Sequence, residues 1–323
     1  MYLLTRHPNK SDLDSVATFA QKLQPFLSEK DSAFRSTLAE ILSKPLAPQL
    51  VIEDLDRPKE QRILAVFLSC FVRPAFREWS LDPQREPHFS NHLCQWRRGK
   101  SGAVLSESEF LKEQRDSGST LAVLCSAIDR KQLSANETAI VVEHLSHTYL
   151  RELFSYKLVA YLEEVQSVEE MRRLTSLDVV VFNSYGASAL RLFGKWPFLL
   201  GVDFQRMDPR TLNTTYGIGR YYQVAQNRIQ RGSRFGFSFR EQEILKGALA
   251  GRSDAESAHL LRVSLITVKK RWESIYARVA LREPELFSEQ ATSAKNSSPL
   301  PQRRRTLLQL LKEHPEELWP SND

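Results

Sequence analysis

Three consecutive cations, Lys269, Lys270 and Arg271, stand in the middle of the stretch VSLITVKKRWESIYARV (263–279). Set on a 3.6-residue wheel, Leu265, Val268, Trp272, Ile275 and Val279 recur at spacings of 3, 4, 3 and 4 and share one face. Lys270 then points almost directly away from that stripe. Ile266, Thr267, Glu273, Ser274 and Ala277 surround it, and Lys269 and Arg271 flank the two sides. One face of this helix needs a core. The other offers ammonium, guanidinium, hydroxyl and carboxylate groups to an anionic partner with polar edges.

Two further helices must position that face. Ser238 and Glu241 have the Ser-x-x-Glu spacing of a capping box, in which each side chain satisfies a backbone N–H at a helix start. The helix they open runs through EQEILKGALA to Gly251, a residue suited to the left-handed position just past a helix end. Ser253 and Glu256 repeat the capping pattern and open a short helix through Leu261. A tight link, Arg262-Val263, leads to Ser264 as N-cap of the long amphipathic helix. Three helices joined by two short links, the third with a basic outer face, make a helix-turn-helix arrangement. In that arrangement the third helix enters the major groove of DNA.

Residues 237–279, FSFREQEILKGALAGRSDAESAHLLRVSLITVKKRWESIYARV, resemble the LuxR-type helix-turn-helix family without a gap. Arg240, Glu241, Glu243, Leu245, Gly251, Ser253, Glu256, Ala258, Leu261, Val263, Ser264, Thr267, Val268, Lys269 and Ile275 carry the likeness, which covers about one-seventh of the chain. It implies that Lys269, Lys270 and Glu273 face base edges or groove walls, with Arg271 beside them. Ser264, Leu265 and Thr267 then lie at the helix start near phosphate or base, and Ser253 near the phosphate backbone. Lys and Arg favour guanine edges, and Glu can accept from cytosine. The chain departs from the family at Asp254, where Asn is usual, and at Arg271, where His is usual. At Ser257 an aliphatic residue is usual, so packing there is expected to weaken unless a neighbour such as Leu260 fills the gap.

Charge agrees with this placement. From Arg220 to Arg278 there are 12 Lys and Arg against 5 Asp and Glu, a local excess of +7, so the rest of the chain sums to −1 of the total +6. A surplus this local points to nucleic acid. Residues 217–238, with Arg228, Arg231 and Arg234, are expected to be a basic linker that adds phosphate contacts, or a surface loop. After the helices, residues 287–302 are rich in Ser and Pro and expected to be flexible. A short amphipathic helix bearing Leu307, Leu308, Leu310 and Leu311 follows, to dock on the body or pair with a second copy.

The composition, 41% hydrophobic and 26% charged with a mean hydropathy of −0.39, is that of a globular protein. The longest apolar run, ILAVFLSCFV (63–72), is about half of what spans a membrane. No secretory leader is evident in MYLLTRHPNKSDLD, so a cytoplasmic location without membrane attachment is expected. Cys70, Cys94 and Cys125 lack metal-pair spacing and read as reduced packing residues.

Ahead of residue 200 the pattern predicts strands at 2–5, 49–53, 63–72, 120–126, 157–164 and 178–184. Helices are predicted at 11–23, 30–42, 136–154 and 168–174. This order resembles the GNAT acyltransferase fold. The segment after the fourth strand, SAIDRKQLSANETAI (126–140), contains none of the glycines that let a backbone cradle the coenzyme A pyrophosphate. The resemblance therefore implies a non-catalytic relative, with no cofactor expected. An acidic pair for a phosphoreceiver domain, the aromatic motif of acyl-homoserine lactone sensors and a P-loop are all missing. His144 and His147 share a helix face without a further ligand set, and no metal site is expected. His88 and His92 are scattered, Glu163 and Glu164 suit a strand end, and Trp79, Trp96 and Trp196 suit a core.

The expected fold is α+β: a GNAT-like mixed α/β domain over 1–200, sensory or structural, a basic linker over 201–236, an all-α helix-turn-helix over 237–282, and a flexible segment with a C-terminal amphipathic helix over 283–323. The expected function is transcriptional regulation, not enzymatic, by a homodimer that binds double-stranded DNA and leaves room for a small-molecule effector on the N-terminal domain. Two alternatives stand beside it: an acyltransferase-like enzyme with an appended helix-turn-helix, and a protein–protein adaptor.

Overall fold

The computed structural model of the chain describes residues 1–43, 46–82, 89–98, 101–153, 155–175, 179–184, 198–204, 234–249, 251–287 and 299–318. It is a mixed α+β structure that divides into two compact units. One comprises Met1–Leu153 with Leu158–Tyr222, the other Phe154–Lys157 with Gln223–Asp323.

The first unit is built on ILAVFLSCFV. A continuous apolar run of this length suits a strand covered on both faces, and it forms β3 (Ile63–Val72), buried from Leu64 onward. Antiparallel to it lie β2 (Gln49–Asp54) and β6 (Ser119–Ile128), and β1 (Leu3–Arg6) pairs with β2. Beyond β6 come β7 (Leu158–Val165), β9 (Phe198–Asp203) and β8 (Val180–Asn183), completing a seven-stranded sheet of order β1-β2-β3-β6-β7-β9-β8. Every pairing is antiparallel except β6 with β7, which is parallel. A short hairpin, β4 (Arg97–Arg98) with β5 (Ser101–Gly102), stands apart.

Side-chain alternation along β3 assigns the helices to faces. Val66, Leu68, Cys70 and Val72 join one core with α1 (Leu13–Leu23), α2 (Asp31–Ser43) and α4 (Phe89–Gln95). Phe67, one residue out of phase, meets Tyr149 of α6 (Ala135–Leu153) at 4.0 Å between ring centroids. Three cysteines, all buried and none in a disulfide, pack in this unit.

The predicted elements lie close to the observed ones; α7 (Val168–Thr175) ends one residue later than expected. Among the described residues, the β4–β5 hairpin, α3, α4, α5 and β9 were not foreseen. α3 (Pro74–Ser80) starts on a proline, whose missing N–H costs nothing at a first turn. α5 (Glu107–Arg115) opens on a Ser106–Glu109 capping box, and α4 has seven residues, too few to show a period. β9 crosses the expected domain end at residue 200, so residues 201–203 are strand and not linker. Gly201 has no room for a side chain: a Cβ there would collide with the Tyr161 carbonyl and the Phe182 ring. Residues 205–233, which hold most of the expected linker with Arg228 and Arg231, lie outside the described residues, as do His88 and Trp196.

The second unit carries α8 (Phe239–Leu249), α9 (Asp254–Leu260), α10 (Leu265–Arg282) and α11 (Pro299–Glu313). Its core is formed by Phe235, Phe237, Ile244, Leu245, Val268, Trp272, Ile275 and Val279, with Leu307, Leu311 and Leu318.

Candidate nucleic-acid interface

Local hydrogen bonding sets the three helix starts. The Ser238 amide and hydroxyl both donate to the Glu241 carboxylate at 2.8 Å. In α9 the Ser253 amide and hydroxyl donate to Glu256 at 2.7 and 2.8 Å, and the Glu256 amide donates back to the Ser253 hydroxyl at 3.2 Å. Those bonds, the Ser253 backbone first, hold the Glu256 carboxyl below the usual carboxylate range. At α10 the Thr267 amide donates to the Ser264 hydroxyl at 3.1 Å.

The helix ends are equally local. Gly251 has φ +81°, and the Arg252 amide reaches back to the Gly247 carbonyl at 2.9 Å, closing α8 in a Schellman motif. α9 closes the same way: Val263 donates to the Ala258 carbonyl at 3.0 Å, with Arg262 at φ +52° in the place that glycine usually takes.

Packing then orients α10. Val268, Trp272, Ile275, Tyr276 and Val279 are buried, and Lys269, Lys270, Glu273 and Ala277 are exposed. Glu241 does more than cap α8. It is buried, takes a hydrogen bond from the Ser274 hydroxyl at 2.9 Å and pairs with Arg278 at 3.1 Å, so the start of the first helix is fastened to the second half of the third. The outward face is thereby held fixed against the other two helices.

Each expected site residue has a definite place. Lys269 and Lys270 project from the outer face, and with the half-buried Arg271 they make no hydrogen bond or ion pair among the described residues. Glu273 is exposed one turn further on, and Thr267 is half-buried, its hydroxyl 2.8 Å from that of Ser264. The Ser253 hydroxyl is engaged in its own capping box, beside the carboxylates of Asp254 and Glu256.

Four expectations need correction. Leu265 does not belong to the packed stripe; as the first residue of α10 it precedes the turn that meets the core and is 41% exposed. Leu260 does not fill a gap beside Ser257, because it points to solvent at 41% exposure. No gap exists: a Cβ on Gly247 would lie 3.2 Å from the buried Ser257 hydroxyl, so a small residue on each helix permits their close approach. Arg234 is not free for phosphate, since its guanidinium pairs with Glu283 at 2.6 Å and with the buried Glu317 at 3.2 Å. Arg278 is likewise spent on Glu241 and the Gly236 carbonyl.

The C-terminal helix docks within this unit. Leu307 and Leu311 are fully buried. Arg304 donates to Asp254 at 2.9 Å and lies 4.5 Å from the Trp272 ring centroid. Docking on the body was the more ordinary of the two expected outcomes for this helix, and Asp254, where the LuxR-type pattern usually has Asn, is what receives it.

In the first unit, Asp129 directly follows β6 and is fully buried, with one carboxylate oxygen taken by Lys22 at 2.8 Å and Gln132 at 2.6 Å. The Ser134 amide and hydroxyl donate to Glu137 at the start of α6. Trp79 and Trp96 pack against Phe76, as core residues should. His144, His147 and Glu143 border a surface hollow of about 350 Å³, and no group of three His, Cys, Asp or Glu that could hold a metal occurs among the described residues. Glu163 is buried and receives the Tyr161 hydroxyl; Glu164 accepts the Phe89 amide at 2.8 Å.

A second hollow, of about 560 Å³, is bordered by Arg73, Trp96, Glu109, Lys112 and Glu113. Burial lifts the Glu113 carboxyl to about 7. Burial would lift Glu109 too, but the Arg73 guanidinium, bonded through both its oxygens, and Ser106 outweigh it and hold that carboxyl at about 2.

No family model matches the chain, and no curated protein does. Among solved structures it is similar to the C-terminal condensation domain of Ebony in complex with beta-alanyl-dopamine, with a TM-score of 0.37 and 12% identity over 63% of this chain and 99% of that one. It is also similar to the loading GNATL domain of CurA from Lyngbya majuscula, with a TM-score of 0.37 and 11% identity over 64% of this chain and 100% of that one. These likenesses, to a condensation domain and to a GNAT-like loading domain, do not bear out the expectation that the chain is not an enzyme, and at a TM-score of 0.37 they carry no activity over to it.

Proposed function

We propose that residues 237–282 are a LuxR-type helix-turn-helix through which the chain binds double-stranded DNA as a transcriptional regulator. The observation that carries this reading is the outer face of α10. Lys269 and Lys270 lie exposed beside Glu273 without an internal partner, while other arginines of the same basic segment are spent on structure. A helix fixed by the Glu241–Arg278 pair offers those groups to the major groove with little loss of side-chain order elsewhere. Lys270 and Glu273 reach base edges, Lys269 and Arg271 the groove walls, and Ser264, Leu265 and Thr267 the entry to the groove. Ser253 serves first as a helix cap. One such helix covers few base pairs, so the protein acts as a homodimer on paired half-sites.

The test is binding of the full-length protein to mixed-sequence duplex DNA across a salt series, beside Lys269→Ala/Lys270→Ala. Each phosphate contact should add roughly −0.9 to the slope of log affinity against log salt. A steep slope that flattens in the double variant supports the reading; indifference to DNA at low salt ends it.

The strand order of the first unit favours a second reading, a GNAT-like acyl-transferring enzyme with the DNA-binding unit appended. β6 pairs with β7 only over Ser119–Ala122 and then runs on to Ile128 past its partner. The start of α6 does not fit a coenzyme A pyrophosphate, because Glu137 already occupies that helix terminus and Asp129 places a second carboxylate nearby. Calorimetric titration of coenzyme A into the full-length protein separates the readings. Stoichiometric binding would favour the enzyme.

A further inference from the structure

Ile266 is the least expected residue on the outer face of α10. It is 67% exposed and takes no part in either hydrophobic core. It stands three, four and seven residues before Lys269, Lys270 and Glu273, so all four side chains share one stripe. A β-branched aliphatic residue is a mediocre helix former, and in water it gains nothing from this position. Leu265 beside it is also half out of the core. The polar neighbours select an anionic surface, so the apolar group among them must meet an apolar feature of that surface. In a DNA major groove there is one such feature, the C5-methyl group of thymine.

Resting on the DNA-binding reading, we propose that Ile266 is a specificity-determining residue that packs on a thymine methyl group next to the bases met by Lys270 and Glu273. Its branched side chain excludes water from that methyl group, and the flanking ammonium groups hold the helix at groove depth. Cytosine at the same step carries a hydrogen there and presents an amino donor that Ile266 cannot satisfy. The preference is therefore for a T·A pair at one fixed step of each half-site.

The test uses the tightest duplex that the full-length protein selects from a randomised pool, resynthesised with deoxyuridine in place of each thymine in turn. Removing the methyl group should weaken wild-type binding about fourfold at one position per half-site, the worth of one buried methyl group. Ile266→Ala should bind the parent duplex about as weakly and show no further loss at that position, and Ile266→Val should keep part of the sensitivity. Because the residue is exposed, both variants should melt as the wild type does. Wild-type indifference to every thymine-to-uracil change, or equal sensitivity in Ile266→Ala, would overturn the inference and leave DNA binding standing. Sedimentation of the free protein should not change in Ile266→Ala; dissociation to monomer would assign the side chain to a contact between copies instead. Absence of binding to any duplex would overturn the DNA reading and this inference together.

Discussion

The Trp272 indole N–H donates to the Asp254 carboxylate at 3.1 Å, joining α10 to the start of α9 in the second unit. Arg304 shares that carboxylate and stacks on the same indole, so one acidic side chain gathers α9, α10 and α11. The aspartate at this departure from the LuxR-type pattern thus has a structural reason. Asp254→Ala should cost about 1–2 kcal/mol, since it strands a buried indole N–H and half-buried cation. Asp254→Asn, which keeps an acceptor for the indole, should cost less. Urea unfolding checks the order; equal losses for the two variants would show that the charge on Asp254 is what matters.

Ser257 and Gly247 make the complementary case in packing. The aliphatic residue usual in the family would not be accommodated here, because the facing helix offers a glycine with only 3.2 Å between its notional Cβ and the Ser257 hydroxyl. Ser257→Ile should destabilise by about 1–3 kcal/mol through overpacking. Thermal melting that rose instead would mean the two helices can separate without loss.

Arg262 sits at φ +52° in the turn between α9 and α10, a left-handed conformation that costs a side-chain-bearing residue about 1 kcal/mol. Arg262→Gly should relieve that strain and raise the melting temperature slightly. If the proposed DNA-binding role holds, the change should also weaken binding to DNA, by removing an exposed cation from the turn that leads into α10. Opposite signs in the two measurements are the expected outcome; a fall in both would show that the guanidinium stabilises the turn.

Glu113 predicts a pH dependence for the first unit. Its folded carboxyl titrates at about 7, against 4.5 for an ordinary glutamate. Between these values the folded chain keeps a proton that the unfolded chain releases, so this group lowers stability as pH rises from about 4.5 to about 7 and adds nothing further above that. Glu113→Gln should flatten the fall of melting temperature over that window. An unchanged pH profile would show the carboxyl to be fully hydrated. Glu109 works in the opposite sense: its stabilisation is present above about 4.5 and is lost as pH falls towards about 2.

Much of the fold was legible in the residues. Strands 49–54, 63–72 and 158–165 announce themselves as apolar runs, and α6 by its period. The short α3, α4 and α5 did not, because seven to nine residues give periodicity too few turns to show. β9 was missed because its six residues adjoin a segment with no clear pattern.

The candidate interface divides along a similar line. Ser238 with Glu241, Ser253 with Glu256, Ser264 with Thr267, and Gly251 act within three residues or one turn, so the helix limits and the outward direction of Lys270 follow from spacing alone. Which cations remain free for a partner does not. Arg278 is claimed by Glu241 37 residues away, Arg304 by Asp254 50 away and Arg234 by Glu317 83 away. Those distances carry no periodic trace, because the groups meet only once the helices have packed. The sequence by itself determined a three-helix unit with a basic outer face; the tertiary structure alone decided that Lys269 and Lys270 keep their charge unspent, because burial and ion pairing are properties of the folded neighbourhood and not of the chain order.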